Sequence, residues 1–369
     1  MMRPLFLALA ATLLAACSST DRPKPTPLET VSPKIAVSSV WSARVDAIQF
    51  PLVAAVRGGQ FAVAGSGGQV LVLQADTGRE VWRANAGAAI SAGVGSDGRF
   101  VTVVTAGNEV VTFEGGTERW RKRVPARVVT APLVAGERVF VVSVDRVVHA
   151  FDAIDGRRLW TLQRPGDALT LAQGGVLTSW RNLLLVGQGP RLAAVDPLKG
   201  TVQWEVPVGS PRGTNEVERL ADLLGPAVRV ADVVCARSFQ SAVGCADASR
   251  GSVVWSRPSG GVQAVGADAE RVVGADDSDR ITAWRATTGD VIWTSEKLLY
   301  RGLGGMLVTG TSAVFGDVEG QVHFLAAATG DPQQRLATDG SPVVGSPVLA
   351  GNTILVTTRN GGLFAFRFN

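Results

Sequence analysis

One motif recurs along the chain and constrains its fold more than any other feature. A short apolar run enters a turn that contains glycine, and tryptophan follows four residues later, as in "VLVLQADTGREVW" at residues 70–82. The pairing occurs six times, at Gly78/Trp82, Gly116/Trp120, Gly156/Trp160, Gly200/Trp204, Gly251/Trp255 and Gly289/Trp293. A seventh turn keeps Gly330 but lacks the tryptophan. The chain is therefore a series of repeats whose turn glycines stand 38 to 51 residues apart.

The period and the residue types of the repeat predict a β-propeller. The apolar runs are rich in valine, mostly five to eight residues long, and end at Gly, Asp or Asn, which favours strands over helices. A period near 40 residues is typical of blades of four antiparallel strands. Glycine supplies the positive φ that the turn requires. The tryptophan ring is expected to cover the gap between neighbouring blades.

The two ends of the chain predict how the ring closes. The seven turns cover residues 70–336, which leaves "IAVSSVWSARV" at 35–45 and a valine-rich tail at the C-terminus. The tail supplies inner strands and the N-terminal run supplies an outer strand with Trp41, so both termini build one blade and remove an exposed edge. We predict an all-β fold over residues 35–369, an eight-bladed β-propeller of four-stranded antiparallel blades. Seven blades are the alternative.

The residues before the predicted propeller indicate export. Arg3 precedes an apolar run that is short for a membrane span and typical of a secretory signal, predicted over residues 1–16. The run ends at Cys17 in a pattern that resembles the lipobox of bacterial lipoproteins, which implies lipidation of Cys17 and stable membrane anchoring. An ordinary signal with an incidental cysteine is the alternative. Ser18, rather than Asp, after the cysteine favours sorting to the outer membrane. Residues 17–34 are predicted to be the lipid anchor and a flexible, Pro-rich tether.

Charge and residue inventory argue against nucleic-acid binding and against catalysis. The formal net charge is +4 and no run of five or six Lys or Arg occurs, so no nucleic-acid partner is expected. His149 and His323 each stand seven residues before a turn glycine, and we interpret them as residues of one repeat strand rather than as ligands. No motif of the HExxH, GxSxG or Walker type stands out. We expect no catalytic residues, no cofactor and no metal.

Two cysteines lie close together in the sequence. Cys235 and Cys245 flank a turn near Gln240 in "VVCARSFQSAVGCAD", which indicates two strands with the cysteines directly opposite each other. A disulfide is plausible in an exported protein. A pair of small buried residues is the alternative.

Two long intervals interrupt the period, after Trp160 and after Trp204. Insertions in propellers form loops on a face of the disk, and loops often carry function. Because these two fall in consecutive blades, they should be neighbours in space. The residues predicted to form a mixed apolar and polar partner-binding patch there are Leu169, Leu171, Arg219, Leu220 and Asp222. Plain variation in loop sequence is the alternative.

A family resemblance is consistent with these patterns. The turn pattern D-x-x-T/S-G-x-x-x-W resembles the repeats of pyrroloquinoline-quinone (PQQ) enzymes and their non-enzymatic relatives. With the lipobox, the Pro-rich tether and "TNEVERLADLLGP", the whole chain is similar to the BamB family of outer-membrane assembly lipoproteins. The resemblance implies a non-enzymatic scaffold, anchored by lipid to the periplasmic face of the outer membrane in a Gram-negative bacterium. It also implies binding to the periplasmic POTRA domains of BamA and a part in the insertion of outer-membrane proteins.

The resemblance extends to single residues of the patch. Leu169 and Leu171 match the leucines of the family's Leu-x-Leu-Arg contact element, and Asp222 matches the first aspartate of a second one. Ala172 stands in place of the family's arginine, and Leu224 in place of its second aspartate, which predicts a more apolar patch.

Other functions stay open on the sequence alone. A PQQ-dependent dehydrogenase would need an acidic Ca²⁺ site over the central channel, and in many members a vicinal cysteine pair, which this chain lacks. A generic carbohydrate-binding or adaptor propeller is the third class. Unfolded outer-membrane proteins, held at strand edges, are a further potential partner of a scaffold.

Overall fold

A computed structural model describes residues 23–164, 169–211 and 213–368. Within these ranges the structure has thirty-two strands and no helix, so it holds no helix that could span a membrane. The predicted signal peptide and Cys17 lie outside the described residues, and both stay predictions.

The strands fall into eight sheets of four, numbered here as blades in chain order. Blade 1 contains β2 (Ala55–Arg57), β3 (Gln60–Ala64), β4 (Gln69–Gln74) and β5 (Glu80–Asn85), and blade 2 contains β6 (Ile90–Ser96), β7 (Phe100–Thr105), β8 (Glu109–Glu114) and β9 (Thr117–Arg123). Blade 3 contains β10 (Leu133–Ala135), β11 (Arg138–Val142), β12 (Val147–Asp152) and β13 (Arg158–Gln163), and blade 4 contains β14 (Leu177–Trp180), β15 (Leu183–Gln188), β16 (Arg191–Val195) and β17 (Val202–Pro207).

The second half of the ring follows the same plan. Blade 5 contains β18 (Leu223–Val230), β19 (Val233–Ser238), β20 (Ala242–Asp247) and β21 (Ser252–Pro258), and blade 6 contains β22 (Gly266–Ala267), β23 (Arg271–Ala275), β24 (Ile281–Arg285) and β25 (Val291–Ser295). Blade 7 contains β26 (Leu307–Val308), β27 (Ser312–Gly316), β28 (Gln321–Ala326) and β29 (Pro332–Ala337), and blade 8 contains β30 (Val343–Ala350), β31 (Thr353–Thr358), β32 (Gly362–Phe368) and β1 (Val37–Arg44).

The ring closes through both chain termini. β1 pairs with β32, from Val37 opposite Phe368 to Arg44 opposite Gly362, and so becomes the outer strand of blade 8. The innermost strand of each blade packs beside that of the next, and β30 of blade 8 packs beside β2 of blade 1. The predicted eight-bladed propeller and its mode of closure are confirmed, and the seven-bladed alternative is wrong.

Burial explains why the inner strands lack a simple alternation of apolar and polar residues. Blades stack face to face, so a middle strand such as β7 is buried on both faces, whereas the outer strand β5 alternates between exposed and half-buried residues. The apolar clusters therefore lie between blades. In one of them Phe140 and Val148 of blade 3 pack against Leu184 and Val186 of blade 4.

The antiparallel order of the strands gives the disk two faces that carry different connections. In each of blades 1 to 7 the first and third turns lie at one end, and the second turn and the connection to the next blade lie at the other. Accordingly, Ala86 in the connection after β5 donates a hydrogen bond to the Gly68 carbonyl in the turn between β3 and β4 (2.8 Å). We call the end with the Gly–Trp turns the turn face and the other end the connection face.

Each repeat tryptophan joins its blade to the next. The Trp120 ring of blade 2 lies on Gly156 in the turn of blade 3, where a Cβ would approach the ring to 2.5 Å, and its Nε1 donates to the Ala153 carbonyl at 2.8 Å. Gly156 has φ +71°, which favours glycine there for a second reason. The prediction that the tryptophans cover the gaps between blades is confirmed. The equivalent pairs are Trp41/Gly78, Trp82/Gly116, Trp160/Gly200, Trp204/Gly251, Trp255/Gly289 and Trp293/Gly330.

Ring closure also explains why the seventh repeat has no tryptophan. Gln334 takes the equivalent register position, opposite Phe324. A tryptophan there would need a third turn in blade 8, but the last two strands of that blade come from opposite ends of the chain. Instead Phe324 contacts Phe366 and Phe368 edge to face, with ring centroids 6.4 and 6.2 Å away.

The segment before β1 differs from the flexible tether expected from composition. The Thr26 N–H donates to the Leu299 carbonyl (2.9 Å), and the Lys34 N–H donates to the Gln333 carbonyl (2.8 Å). Leu28 packs against the apolar cluster of blades 6 and 7. Composition missed these contacts because they use few apolar side chains of the segment and depend largely on its backbone groups.

Candidate partner-binding site

The two long connections, on either side of blade 4, meet at Asp222. Its Oδ2 accepts a hydrogen bond from the Leu171 N–H at 3.0 Å, although the two residues are 51 positions apart. Gly175 forms a β-bridge with Leu224, and the Gly225 N–H donates to the Gly174 carbonyl (2.8 Å). The connections are therefore neighbours, as expected from their place in consecutive blades.

A third element, from blade 3, completes this junction. Arg146 lies in the turn between β11 and β12, and its guanidinium is 3.7 Å from Asp222 Oδ1. Both side chains are largely buried, which strengthens their attraction relative to an exposed pair. Arg146 thus supplies a positive charge at the junction. Ala172, which lies nearby in the chain, supplies none. Asp222 is consequently held on both carboxylate oxygens.

The second connection is organised by its own polar side chains. Glu218 accepts a hydrogen bond from the Thr214 N–H (2.8 Å), and its own N–H donates to Asn215 Oδ1 (2.9 Å). The hydrogen bond from the Thr214 backbone is the main cause that lowers the pKa of Glu218. These contacts close a compact turn and leave Val217 68% exposed at its tip.

The predicted patch residues are not equally accessible. Leu169 is the most accessible of them, at 37% exposed. The others are half-buried and therefore less accessible: Leu171, Arg219, Leu220 and Asp222. The most exposed apolar residue of this region is Val217, which the sequence analysis did not single out. The sequence could have indicated it, because Val217 is a single apolar residue between charged neighbours in "TNEVER".

One expectation for the patch needs correction. Leu224 replaces a family aspartate and was expected to make the patch more apolar. In the structure Leu224 is 3% exposed in β18, where it pairs with Arg237 of β19, so it belongs to the core. The exposed apolar side chains of this region are those of Leu169 and Val217 instead.

The central cavity opens among the blade-to-blade connections and has a volume of about 440 Å³. Glycine, proline and aliphatic residues dominate its wall, with the side chains of Arg57, Gln173, Gln263 and Arg359 among the polar ones. The described residues that line it include no Asp or Glu, whereas protein calcium sites use carboxylate and carbonyl oxygens. In the described part of the chain no group of three or more His, Cys, Asp or Glu side chains is arranged to hold a metal ion.

The two histidines occupy equivalent positions in β12 and β28, as predicted, and are 2% exposed. His149 Nε2 lies 3.2 Å from Ser143 Oγ, and His323 Nε2 lies 3.0 Å from Asp317 Oδ2. Burial lowers the pKa of both imidazoles because it disfavours the charged form. Their contacts lie within a blade, so we assign them to the packing of blades 3 and 7.

Cys235 and Cys245 face each other across β19 and β20, which confirms the predicted register. Their sulfur atoms are bonded in the structure. Gln240 lies in the intervening turn, with φ +48°.

These features define a class of protein. The chain is a closed propeller of PQQ-like repeats with two linked loops on its connection face. A family model described as "Outer membrane protein assembly factor BamB" matches residues 40–295. The chain belongs to the BamB family of outer membrane protein assembly factors.

Sequence relatives agree with this assignment, and solved structures share the fold. BamB of Burkholderia pseudomallei is 37% identical over 99% of this chain and 97% of its own length, and BamB of Bordetella pertussis is 32% identical over 95% and 92%. The crystal structure of BamB from Moraxella catarrhalis superposes with a TM-score of 0.82 at 22% identity, covering 90% of this chain and all of that one. Quinohemoprotein alcohol dehydrogenase from Comamonas testosteroni shares the fold alone, with a TM-score of 0.67 at 15% identity over 90% of this chain and 76% of that one.

Family membership decides between the classes that the sequence left open. The chain is an assembly factor for outer-membrane proteins and not an enzyme, although quinoprotein dehydrogenases have the same architecture.

Proposed function

We propose that the chain is a lipid-anchored scaffold that binds the periplasmic POTRA domains of BamA through the loops flanking blade 4. One observation carries the proposal: Asp222 fixes two connections to each other while Leu169 and Val217 stay exposed. Because Leu171 and Asp222 are held together before a partner arrives, binding costs less ordering entropy at this point.

The chemistry of these loops suits a protein partner. Exposed aliphatic side chains stand beside polar groups, including Arg219 and Glu218, an arrangement typical of an apolar interface centre with a polar rim. We assign Leu169 and Val217 to the centre and the polar groups to the rim. Asp222 then acts mainly by positioning the loop that carries Leu169.

The proposal is tested with the purified full chain in detergent and the isolated POTRA domains of BamA. Leu169→Asp places a charge in the centre of the proposed interface, and we expect at least tenfold weaker binding by calorimetry. Leu198→Asp is the matched control. Leu198 is 63% exposed in the Gly–Trp turn of blade 4, so it lies on the turn face, whereas Leu169 lies on the connection face. Its affinity should equal that of the unaltered chain.

Two results would contradict the proposed position of the interface. If Leu169→Asp, Val217→Asp and their combination all bind as tightly as the unaltered chain, the loops flanking blade 4 are not the BamA site. A loss of binding in Leu198→Asp alone would place the contact on the turn face.

The proposed anchorage has a separate test. We propose that Cys17 carries the lipid and holds the chain at the periplasmic face of the outer membrane, where it assists insertion of outer-membrane proteins. Cys17→Ser should release the chain into the soluble periplasmic fraction. Retention of that variant in the outer membrane would refute lipid anchoring at Cys17.

Unfolded outer-membrane proteins are the second partner that we propose. Val253 of β21 and Val291 of β25 are 38% and 60% exposed on outer strands of blades 5 and 6. An extended segment adds to such an edge through backbone hydrogen bonds. Cross-linking from position 291 to a urea-denatured barrel protein supports this contact, and its absence under the same conditions contradicts it.

A further inference from the structure

The chain crosses the rim of blade 7 before it enters β1. We call residues 26–34 the strap. It begins beside the blade 6 to blade 7 connection, where the Thr26 N–H donates to the Leu299 carbonyl (2.9 Å). It ends beside the start of β29, where the Lys34 N–H donates to the Gln333 carbonyl (2.8 Å). The strap therefore runs from the connection face to the turn face along the outer strand of blade 7.

Two arginines of the propeller hold the strap by its carbonyl groups. Arg301 Nη1 donates to the Thr26 carbonyl (3.2 Å), and Arg335 Nη1 donates to the Glu29 carbonyl (3.0 Å). The Arg301 side chain is 4% exposed, and its Nε is fixed by Asp317 at 2.9 Å. A donor fixed in this way presents a preformed site to the strap rather than a mobile surface group.

Apolar contacts reinforce the strap at two points. Leu28 is half-buried against the cluster that blades 6 and 7 share. Val31 is half-buried beside Leu298, Leu325 and Gln334. Gln334 occupies the register position at which the other repeats carry tryptophan. The strap therefore covers the one outer strand that has no tryptophan at this position.

The strap limits how far the disk can lie from an anchor at Cys17. Thr26 comes nine positions after Cys17, and nine positions of extended chain span at most about 30 Å. Without the strap contacts the first fixed residue is Val37, and twenty residues span at most about 70 Å. A docked strap thus ties one particular edge of the disk to the membrane, whereas a free one would allow many orientations.

The ring order relates this edge to the proposed BamA site. Blade 7 stands opposite blade 3 in a ring of eight, and the loops that carry Leu169 and Val217 flank blade 4. The strap starts at the connection face, the same face as those loops. We propose that the strap makes the blade 7 rim the membrane-proximal edge of the disk, so that the BamA-binding loops project from the far half of the ring. This inference rests on the lipid anchor of the proposed function.

Energy transfer to a membrane surface tests the orientation. The lipidated full chain is bound to phosphatidylethanolamine/phosphatidylglycerol vesicles with acceptor dyes on the headgroups. Donors are placed on Ala328→Cys or Ile154→Cys, equivalent exposed positions in the turns of blades 7 and 3. We expect at least twofold more efficient transfer from position 328 than from position 154.

Strap variants establish the cause of that difference. Leu28→Asp with Val31→Asp should release the strap, remove the difference between the two donors, and speed hydrogen exchange at the Thr26 and Lys34 amides. Ser32→Asp is the matched control, because Ser32 is exposed within the docked strap. It should keep both the transfer difference and the protection.

The outcomes separate this inference from the proposed function. Equal transfer from both donors on a vesicle-bound chain overturns the orientation by the strap and leaves anchoring intact. A difference that survives strap release also overturns it, since another contact must then orient the disk. Failure of the chain to associate with vesicles overturns anchoring and orientation together.

Discussion

Asp222 shows how a single side chain can matter to binding without being the main contact. Sequence reasoning placed it among the partner-binding residues. In the structure its carboxylate faces the Leu171 N–H at 3.0 Å and Arg146 at 3.7 Å, inside the protein rather than outward. Its proposed contribution is therefore to hold the loop that presents Leu169.

We predict that Asp222→Ala weakens binding to the POTRA domains about tenfold and speeds hydrogen exchange at the Leu171 amide. Both effects follow from the loss of a partly buried acceptor, worth about 1–3 kcal/mol. Asp222→Asn keeps an acceptor oxygen and should restore most of the protection. Unchanged exchange at Leu171 in the alanine variant would contradict a positioning role.

The buried histidines predict a pH dependence of stability. His149 and His323 both have pKa values lowered from 6.5 by burial, so the unfolded chain binds protons just below pH 6.5 that the folded chain does not. The free energy of unfolding should therefore decrease as the pH falls below about 6.5 and stay level above it. Urea unfolding between pH 7.5 and 5 measures this. His149→Gln with His323→Gln should flatten the profile over that interval, and an unchanged slope in the double variant would assign the effect to other groups.

At the scale of the element, the Gly–Trp repeat is a link between blades rather than a site. The ring of Trp120 covers the turn of blade 3, and the same contact recurs around the disk until the seventh repeat. There the missing turn of blade 8 makes the tryptophan unnecessary, and Phe324 packs with the C-terminal phenylalanines instead.

This link predicts that alanine substitutions at equivalent register positions of different blades lower the free energy of unfolding by different amounts. Trp120→Ala should lower the free energy of unfolding by about 3–5 kcal/mol, because it empties a buried interface between blades and removes the hydrogen bond to the Ala153 carbonyl. Gln334→Ala, at the same register position of blade 7, should cost less than about 1 kcal/mol. Chemical denaturation of both variants provides the comparison. Similar losses would show that the tryptophan contact is not what holds adjacent blades together.

At the scale of the whole molecule, periodicity made the architecture predictable. Glycine spacing fixed the repeat, the leftover termini predicted closure, and symmetry about Gln240 predicted the cysteine register. These features depend on local residue order, which a sequence displays directly.

Other features depend on neighbours that are distant in the chain. Arg146 reaches Asp222 from another blade, Leu224 turns into the core, and Val217 is exposed by hydrogen bonds within its own loop. The strap was missed for the same reason, since its partners Arg301 and Arg335 follow it by about three hundred residues. Composition alone cannot reveal such pairings.

The most direct test of the central claim is photo-cross-linking in living cells that express the full chain. A photoreactive amino acid at position 169 should cross-link to BamA within its POTRA domains, whereas the same group at position 198, on the turn face of the same blade, should not. Cross-linking from position 198 together with none from position 169 would contradict the assignment of the BamA site to the loops flanking blade 4.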